Sequence, residues 1–182
     1  MASEVTLLLN AHREGDENAI NDLARIIYPE LKAMARRRTS GSGMGATTLV
    51  NETFVKLLSG GDVTASDRQQ FFALSATIMR RVIVDEVRYA TAQKRSGDDV
   101  ALSEDQVADE SQASAEFLIE VDRVLTLLAA EDERLAQAFE CRYFAGFSVA
   151  ETAESLSVSE RTAERLWSNA RSRIAELMRD SN

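Results

Sequence analysis

Proline is almost absent from this 182-residue chain: there is one, Pro29, beside eight glycines. That scarcity argues against a turn-rich β fold and favours long helices. Cysteine and histidine occur once each, as Cys141 and His12, so one chain holds neither a disulfide framework nor a Cys/His zinc site. A single cysteine fits a reducing cytoplasm, the expected location. Apolar stretches are short, such as residues 5–9, far below the roughly 20 residues a membrane span needs. The N-terminus shows no basic region followed by an apolar segment, so no secretory signal is read there. His12 is isolated and the acidic groups do not converge on a base, so an enzyme is the least expected class. No cofactor and no metal are expected.

What is present points to a folded helical protein. Apolar residues make up 45% and charged residues 28%, enough for a buried core. The net charge of −9 speaks at first against nucleic acid, but its distribution reverses that. Residues 1–97 carry 13 basic and 11 acidic groups, residues 98–120 carry no basic and 8 acidic groups, and residues 121–182 carry 8 basic and 11 acidic groups. Most of the negative charge therefore lies in one short block, as in a linker.

Ser3 reads as the N-cap of a first helix that ends at Gly15. Asp16 caps a second helix with Ile20, Leu23, Ile27, Leu31 and Met34 at helical spacing, and Pro29 predicts a kink or break near Tyr28. Gly41, Gly43 and Gly45 mark a loop. Thr47 or Thr48 caps a short helix through Leu58, and residues 60–66 form another loop. Asp67 and Gln70 open a long helix in the manner of a capping box. Its buried side is Phe71, Phe72, Ile78, Met79, Val82 and Ile83. Arg81, Arg88 and Arg95 recur every seven residues on another side, joined by Lys94, a positive stripe suited to a phosphate backbone. Residues 98–114 show no strong period and read as an acidic linker. Periodicity resumes with Phe117, Val121, Val124, Leu125 and Leu128, and a further helix holds Leu135, Phe139 and Tyr143.

The last 35 residues carry the sharpest local pattern. Ser148-Val149-Ala150-Glu151 is a capping box opening a short helix with Val149, Ala153 and Leu156 on its apolar face. Ser157-Val158 makes a turn, and Ser159 caps a longer helix whose buried stripe is Ala163, Leu166, Ala170, Ile174 and Leu177. A short helix, tight turn and longer helix form a DNA-reading helix-turn-helix. Its outward face presents Arg161, Thr162, Arg165, Ser168 and Arg171, with Arg165 the candidate base contact and Arg171 and Arg173 candidate phosphate contacts. Trp167 and Cys141 read as packing residues.

The first half narrows the class. Leu49-Val50-Asn51-Glu52-Thr53-Phe54-Val55-Lys56-Leu57 resembles region 2.2 of extracytoplasmic-function sigma factors, which docks on the clamp helices of the polymerase β′ subunit. Phe72-Ala73-Leu74, then Ile78-Met79-Arg80-Arg81, Asp85 and Arg88, resemble regions 2.3 and 2.4, which melt and capture the −10 element. The C-terminal half is similar to region 4, which reads the −35 element and touches the β flap. The resemblance implies an all-α protein of two small helical domains, 1–97 and 115–182, joined by the acidic linker 98–114, with polymerase core and promoter DNA as partners. It implies core contacts at Thr48, Leu49, Asn51, Glu52, Phe54 and Lys56, and −10 contacts at Arg80, Arg81, Arg88, Lys94 and Arg95. An anti-sigma factor or a Ser/Thr kinase is the expected kind of regulator, and no membrane partner is expected.

The chain departs from the family pattern at defined places. Acidic residues usual before the Leu-Val of region 2.2 are replaced by Thr47 and Thr48, and the family's Gln is Asn51. Phosphate on Thr48, or second on Thr47, would restore the lost negative charge at a helix N-terminus. The usual Asn four residues before Asp85 is Arg81, and the Gly common in the helix-turn-helix turn is Ser157. Two rival classes remain: a stand-alone helix-turn-helix transcriptional regulator that never replaces the sigma subunit, and a helical adaptor that binds no DNA.

Overall fold

The computed structural model describes residues 3–38, 44–59, 65, 67–95 and 105–180, and among them every regular element is a helix. The N-terminal half holds α1 (Glu4–Arg13), α2 (Ala19–Arg38), α3 (Ala46–Ser59) and α4 (Arg68–Arg95). The C-terminal half holds α5 (Asp105–Glu131), α6 (Glu133–Phe139), a π-helical turn (Glu140–Ala145), α7 (Val149–Ser155) and α8 (Glu160–Arg179).

Side-chain caps start four of the eight described α-helices where the sequence placed them, whereas Asp16, read as the cap of the second helix, accepts from the Asn18 amide in the turn before α2 begins at Ala19. Ser3 Oγ accepts from the Thr6 amide, and Asp67 Oδ1 accepts from the Gln70 amide at 2.9 Å. The Ser148/Glu151 box is complete in both directions, and Ser159 Oγ accepts from the Thr162 amide. Each such cap contributes about 1 kcal/mol by satisfying amides that the helix cannot. In the box, the Ser148 amide and hydroxyl hold the Glu151 carboxyl below its ordinary range.

Several expectations are corrected. The second helix does not break: α2 runs through Pro29. Arg25 and Pro29 both lie on its exposed side, so the carbonyl that proline leaves without a partner is on the solvent side, while Leu23, Ile27 and Leu31 stay fully buried. Thr47 and Thr48 do not cap α3. The Gly45 carbonyl accepts the first helical bond from Leu49 at 3.0 Å, so both threonines sit inside the first turn, exposed. The expected linker 98–114 is helical from Asp105 onward, because α5 begins there. Phe117, read as the first core position of that helix, is 50% exposed. The loop at 60–66 lies outside the described residues except for Ala65, which is buried and whose carbonyl accepts from Arg13.

Packing joins the halves into one body. α1 lies on α2, α2 and α4 flank α3, and in the second half α6 and α7 pack on α8 with α5 alongside. Across the seam α4 meets α5, α7 and the π turn. One continuous apolar cluster includes Leu31, Phe71 and Met79 from the first half and Val124, Leu128 and Phe144 from the second.

The helix-turn-helix turn stores strain. Ser157 sits at φ +53, the left-handed region that glycine occupies at little cost. Replacing Ser157 by Gly is therefore expected to stabilise the protein by up to about 1 kcal/mol, and Ser157→Val to destabilise it by about 1–2 kcal/mol, because a β-branched side chain tolerates this region worst. Urea unfolding followed by circular dichroism checks both directions.

Candidate nucleic-acid interface

The outward face of α8 follows from its amphipathic period. Ala163, Leu166, Ala170, Ile174 and Leu177 are buried, which leaves Arg161, Arg165, Ser168 and Arg171 exposed. Thr162 is half-buried, with its hydroxyl 3.0 Å from Ser159 Oγ. Arg161 and Arg165 are in no ion pair among the described residues, whereas Arg171 lies over the Trp167 ring at 5.5 Å. Trp167 itself packs on Phe139 with ring centroids 5.5 Å apart, a packing role. Arg173 differs from its expected role: Glu131 holds it in a two-pronged pair, with both hydrogen bonds at 2.7 Å, which ties α8 to the end of α5. The hydrogen bonds it donates to Glu131 and then to Glu176 raise its pKa further, and they leave it a fastening more than a free phosphate contact.

A second surface surrounds the start of α3. Thr48, Glu52 and Lys56 share an open hollow with Asp85, Glu86 and Tyr89 of α4, about 540 Å³ in volume. Asn51, Glu52 and Lys56 are exposed and Phe54 is half-buried. Leu49 is not on this surface. It is fully buried with Val50 and Thr53, because the α3 period turns those positions to the core, so Leu49 shapes the segment without presenting a contact. The Thr53 hydroxyl donates to the Leu49 carbonyl at 2.7 Å. Lys56 pairs with Asp85 of α4 at 3.1 Å.

The third surface is α4, and here the structure departs furthest from expectation. Arg81 is exposed, and the side chains of Lys94 and Arg95 lie outside the described residues. Arg80, expected to face DNA, is only 8% exposed and points across the seam into the C-terminal half. Its Nη2 and Nε donate to Glu140 at 2.7 and 3.0 Å, and Nη1 pairs with Asp122. Thr77 donates to the other Glu140 oxygen at 2.6 Å, and Arg88 reaches Asp122 at 3.1 Å. Phe144 lies under the guanidinium, 6.0 Å from its ring centre. Beside this cluster the seam opens into a cleft of about 560 Å³.

Sequence reasoning missed Asp122 and Glu140 as partners, since they stand 42 and 60 residues from Arg80. One signal was legible. Arg80 is flanked at four-residue spacing by Ala76 and Val84, both buried, and a guanidinium in a core register requires buried carboxylates.

The order of these surfaces along the chain matches a known family. The ECF sigma factor family model covers residues 2–180. The chain belongs to the ECF sigma factor family. It is 30% identical over 175 residues to the ECF RNA polymerase sigma factor SigM of Mycobacterium tuberculosis, which covers 94% of this chain and 83% of that protein. It is also 29% identical over 147 residues to the ECF RNA polymerase sigma factor SigL of the same organism, over 78% of this chain and 81% of that protein. As an ECF sigma factor it is an alternative sigma subunit, whose partners are RNA polymerase core and promoter DNA, and it directs transcription initiation. No helix among the described residues is long and apolar enough to cross a membrane.

The one cysteine of this sigma factor lines the cleft but is only 2% exposed, and burial pushes its thiol up to about 11. The thiolate is the reactive species, so at pH 7.5 a small disulfide reagent is expected to label native Cys141 at least about a hundredfold more slowly than in urea, as absorbance against time will show.

Proposed function

We propose that this ECF sigma factor works by dividing promoter recognition between its halves and is switched on by phosphorylation at Thr48. Residues 1–97 dock on the β′ clamp helices through α3 and read the −10 element through the basic side of α4. Residues 115–182 read the −35 element through α8 and meet the β flap. Arg165 reads a base edge, and Arg161 and Arg171 contact phosphate. Exposure of Arg161, Arg165 and Arg171 on a helix whose start is fixed by the Ser159 N-cap, behind a short helix capped by Ser148, supports this assignment.

The observation that carries the switch is the first turn of α3. It holds no acidic residue, and the threonines that stand in place of the family's carboxylates are both exposed. A phosphate there brings a charge of about −1.5 to −2 to a helix N-terminus, where anions are favoured. It would also sit beside Glu52, Asp85 and Glu86, giving a basic clamp helix one concentrated acidic surface. Thr48 borders that hollow and Thr47 does not, which favours Thr48. A Ser/Thr kinase is then the activating partner, and this member belongs to a subgroup that lacks the usual region 2.2 acids.

In vitro transcription with purified core and promoters from the protein's own genome tests the switch. The unmodified protein is expected to be weak or silent, while Thr48→Glu or the kinase-treated form is expected to give promoter-dependent transcripts. Full activity of unmodified protein from a heterologous host would sink the switch. Silence of all forms, with operator-like binding to DNA in the absence of core, would favour a stand-alone helix-turn-helix regulator.

Substitutions on α8 separate its two kinds of contact. Arg165→Ala is expected to lose about 1–3 kcal/mol of −35 binding and to relax preference at one base pair. Arg171→Ala is expected to weaken binding evenly across sequences and to lower the salt dependence by about one ion. Fluorescence anisotropy on duplexes with single base changes, at several salt concentrations, reads both.

A further inference from the structure

Tyr89 of α4 has its ring 61% exposed. Exposure alone carries nothing, because every protein surface shows some large apolar side chains to water. Its neighbours and the way it is held set this ring apart. It borders the open hollow of about 540 Å³ from the α4 side, together with Thr48, Glu52 and Lys56 of α3. Its hydroxyl accepts from Gln93 Nε2 at 2.6 Å, one helical turn further on. The polar tip is therefore satisfied within the chain, and the ring is held with its apolar surface uncovered. Val55, also exposed, follows Glu52 by three residues and so lies on the same side of α3.

We propose, resting on the sigma factor reading above, that Tyr89 is an anchor for polymerase core: it extends the docking surface from α3 onto α4 and packs against the basic clamp helix, with Val55 as the apolar contact on the α3 side. The charges around the ring decide between protein and DNA as its partner. Glu52, Asp85 and Glu86 line the same hollow, and Lys56 there is already paired with Asp85 at 3.1 Å. A base stacked on Tyr89 would bring its phosphates close to three carboxylates, and like charge disfavours that, whereas a basic helix is attracted by the same carboxylates. Arg88 stands one residue earlier, roughly 100° round the helix, and reaches Asp122 in the other direction. The basic stripe and Tyr89 therefore occupy different sides of α4.

A tyrosine ring within a rim of polar side chains has the anatomy of an interface anchor, and a few such residues carry most of the binding energy of a docked surface. Held by Gln93, the ring loses little rotamer freedom on docking. The acids around it steer and orient a basic partner, while the ring supplies the burial. α4 then serves two partners on two sides, the −10 element along its basic stripe and core along Tyr89. Because both sides belong to one helix, docking on core sets the angle at which the stripe meets DNA.

The test titrates the full chain, labelled at its N-terminus, with purified polymerase core and reads fluorescence anisotropy. It is run in the wild-type and Thr48→Glu backgrounds, so that weak docking of the unmodified form does not mask the effect. Tyr89→Ala is expected to weaken core binding about 30-fold, as loss of an interface anchor does. Tyr89→Phe keeps the ring and gives up the Gln93 hydrogen bond, and is expected to cost no more than about threefold. Phe117→Ala, which removes an exposed ring from α5, is expected to change nothing. Transcription separates docking from DNA reading: with Tyr89→Ala the transcript is expected to recover when the protein is raised to saturate core. An unchanged core affinity for Tyr89→Ala overturns the anchor. So does a transcript that stays low at saturation while core affinity is normal, the result that stacking on a base would give. If circular dichroism shows Tyr89→Ala unfolded, Tyr89→Gln decides by the same two readings. Failure of every form to bind core in both backgrounds sinks the sigma assignment itself, whereas tight binding of the parent chain that Tyr89→Ala leaves undiminished sinks the anchor alone.

Discussion

A guanidinium cannot leave water without partners, and the burial of Arg80 imposes that constraint on the whole molecule. Desolvating one such ion costs several kcal/mol, and only well-placed carboxylates offset it. The planar fork of arginine fixes where they stand. Two of its nitrogens face one Glu140 oxygen and the third faces Asp122, so α5 and the π turn have one workable position over α4. A buried ion cluster of this kind adds little net stability over apolar packing; its effect is to select one docking geometry among several that apolar contact alone would permit.

The π turn belongs to the same constraint. It starts at Glu140 and ends at Ala145, and it carries both the acceptor of Arg80 and Thr77 and the ring beneath the guanidinium. Such wide turns are uncommon and cluster where a side chain must be re-aimed. Gly146 then ends the segment at φ +76, a backbone shape suited to glycine. The fastening of α8 by Glu131 and Arg173 and the stack of Phe139, Tyr143 and Trp167 stay within the C-terminal half. Each half therefore carries its own local fastenings, and the ion cluster crosses between them.

Charge placement explains how a chain of net charge −9 can serve promoter DNA. Acid is concentrated in residues 98–120, whereas Arg161 and Arg165 stand exposed on the outer face of α8 and Arg81 on α4. Net charge governs long-range steering, but contact within a few ångströms is governed by the local face, where screening leaves near charges dominant.

The sequence by itself determined the local elements. Caps at Ser3, Asp67, Ser148 and Ser159 and the buried stripe of α8 were legible because they depend on residues three or four apart. The exposed face of that helix followed from the same period. Less was legible where a local rule had competitors. Pro29 suggested a break, yet packing of Leu23, Ile27 and Leu31 carried the helix through, and Thr47 and Thr48 suggested a cap that Gly45 supplies just ahead of them. Only the tertiary structure decided the partners of Arg80, Asp85 and Arg173, because those contacts join residues 29 to 60 positions apart. A helix face says that a side chain is turned inward or outward. Which opposing charge it meets depends on how whole helices dock, and that is settled by burial and ion pairing summed over the assembled body.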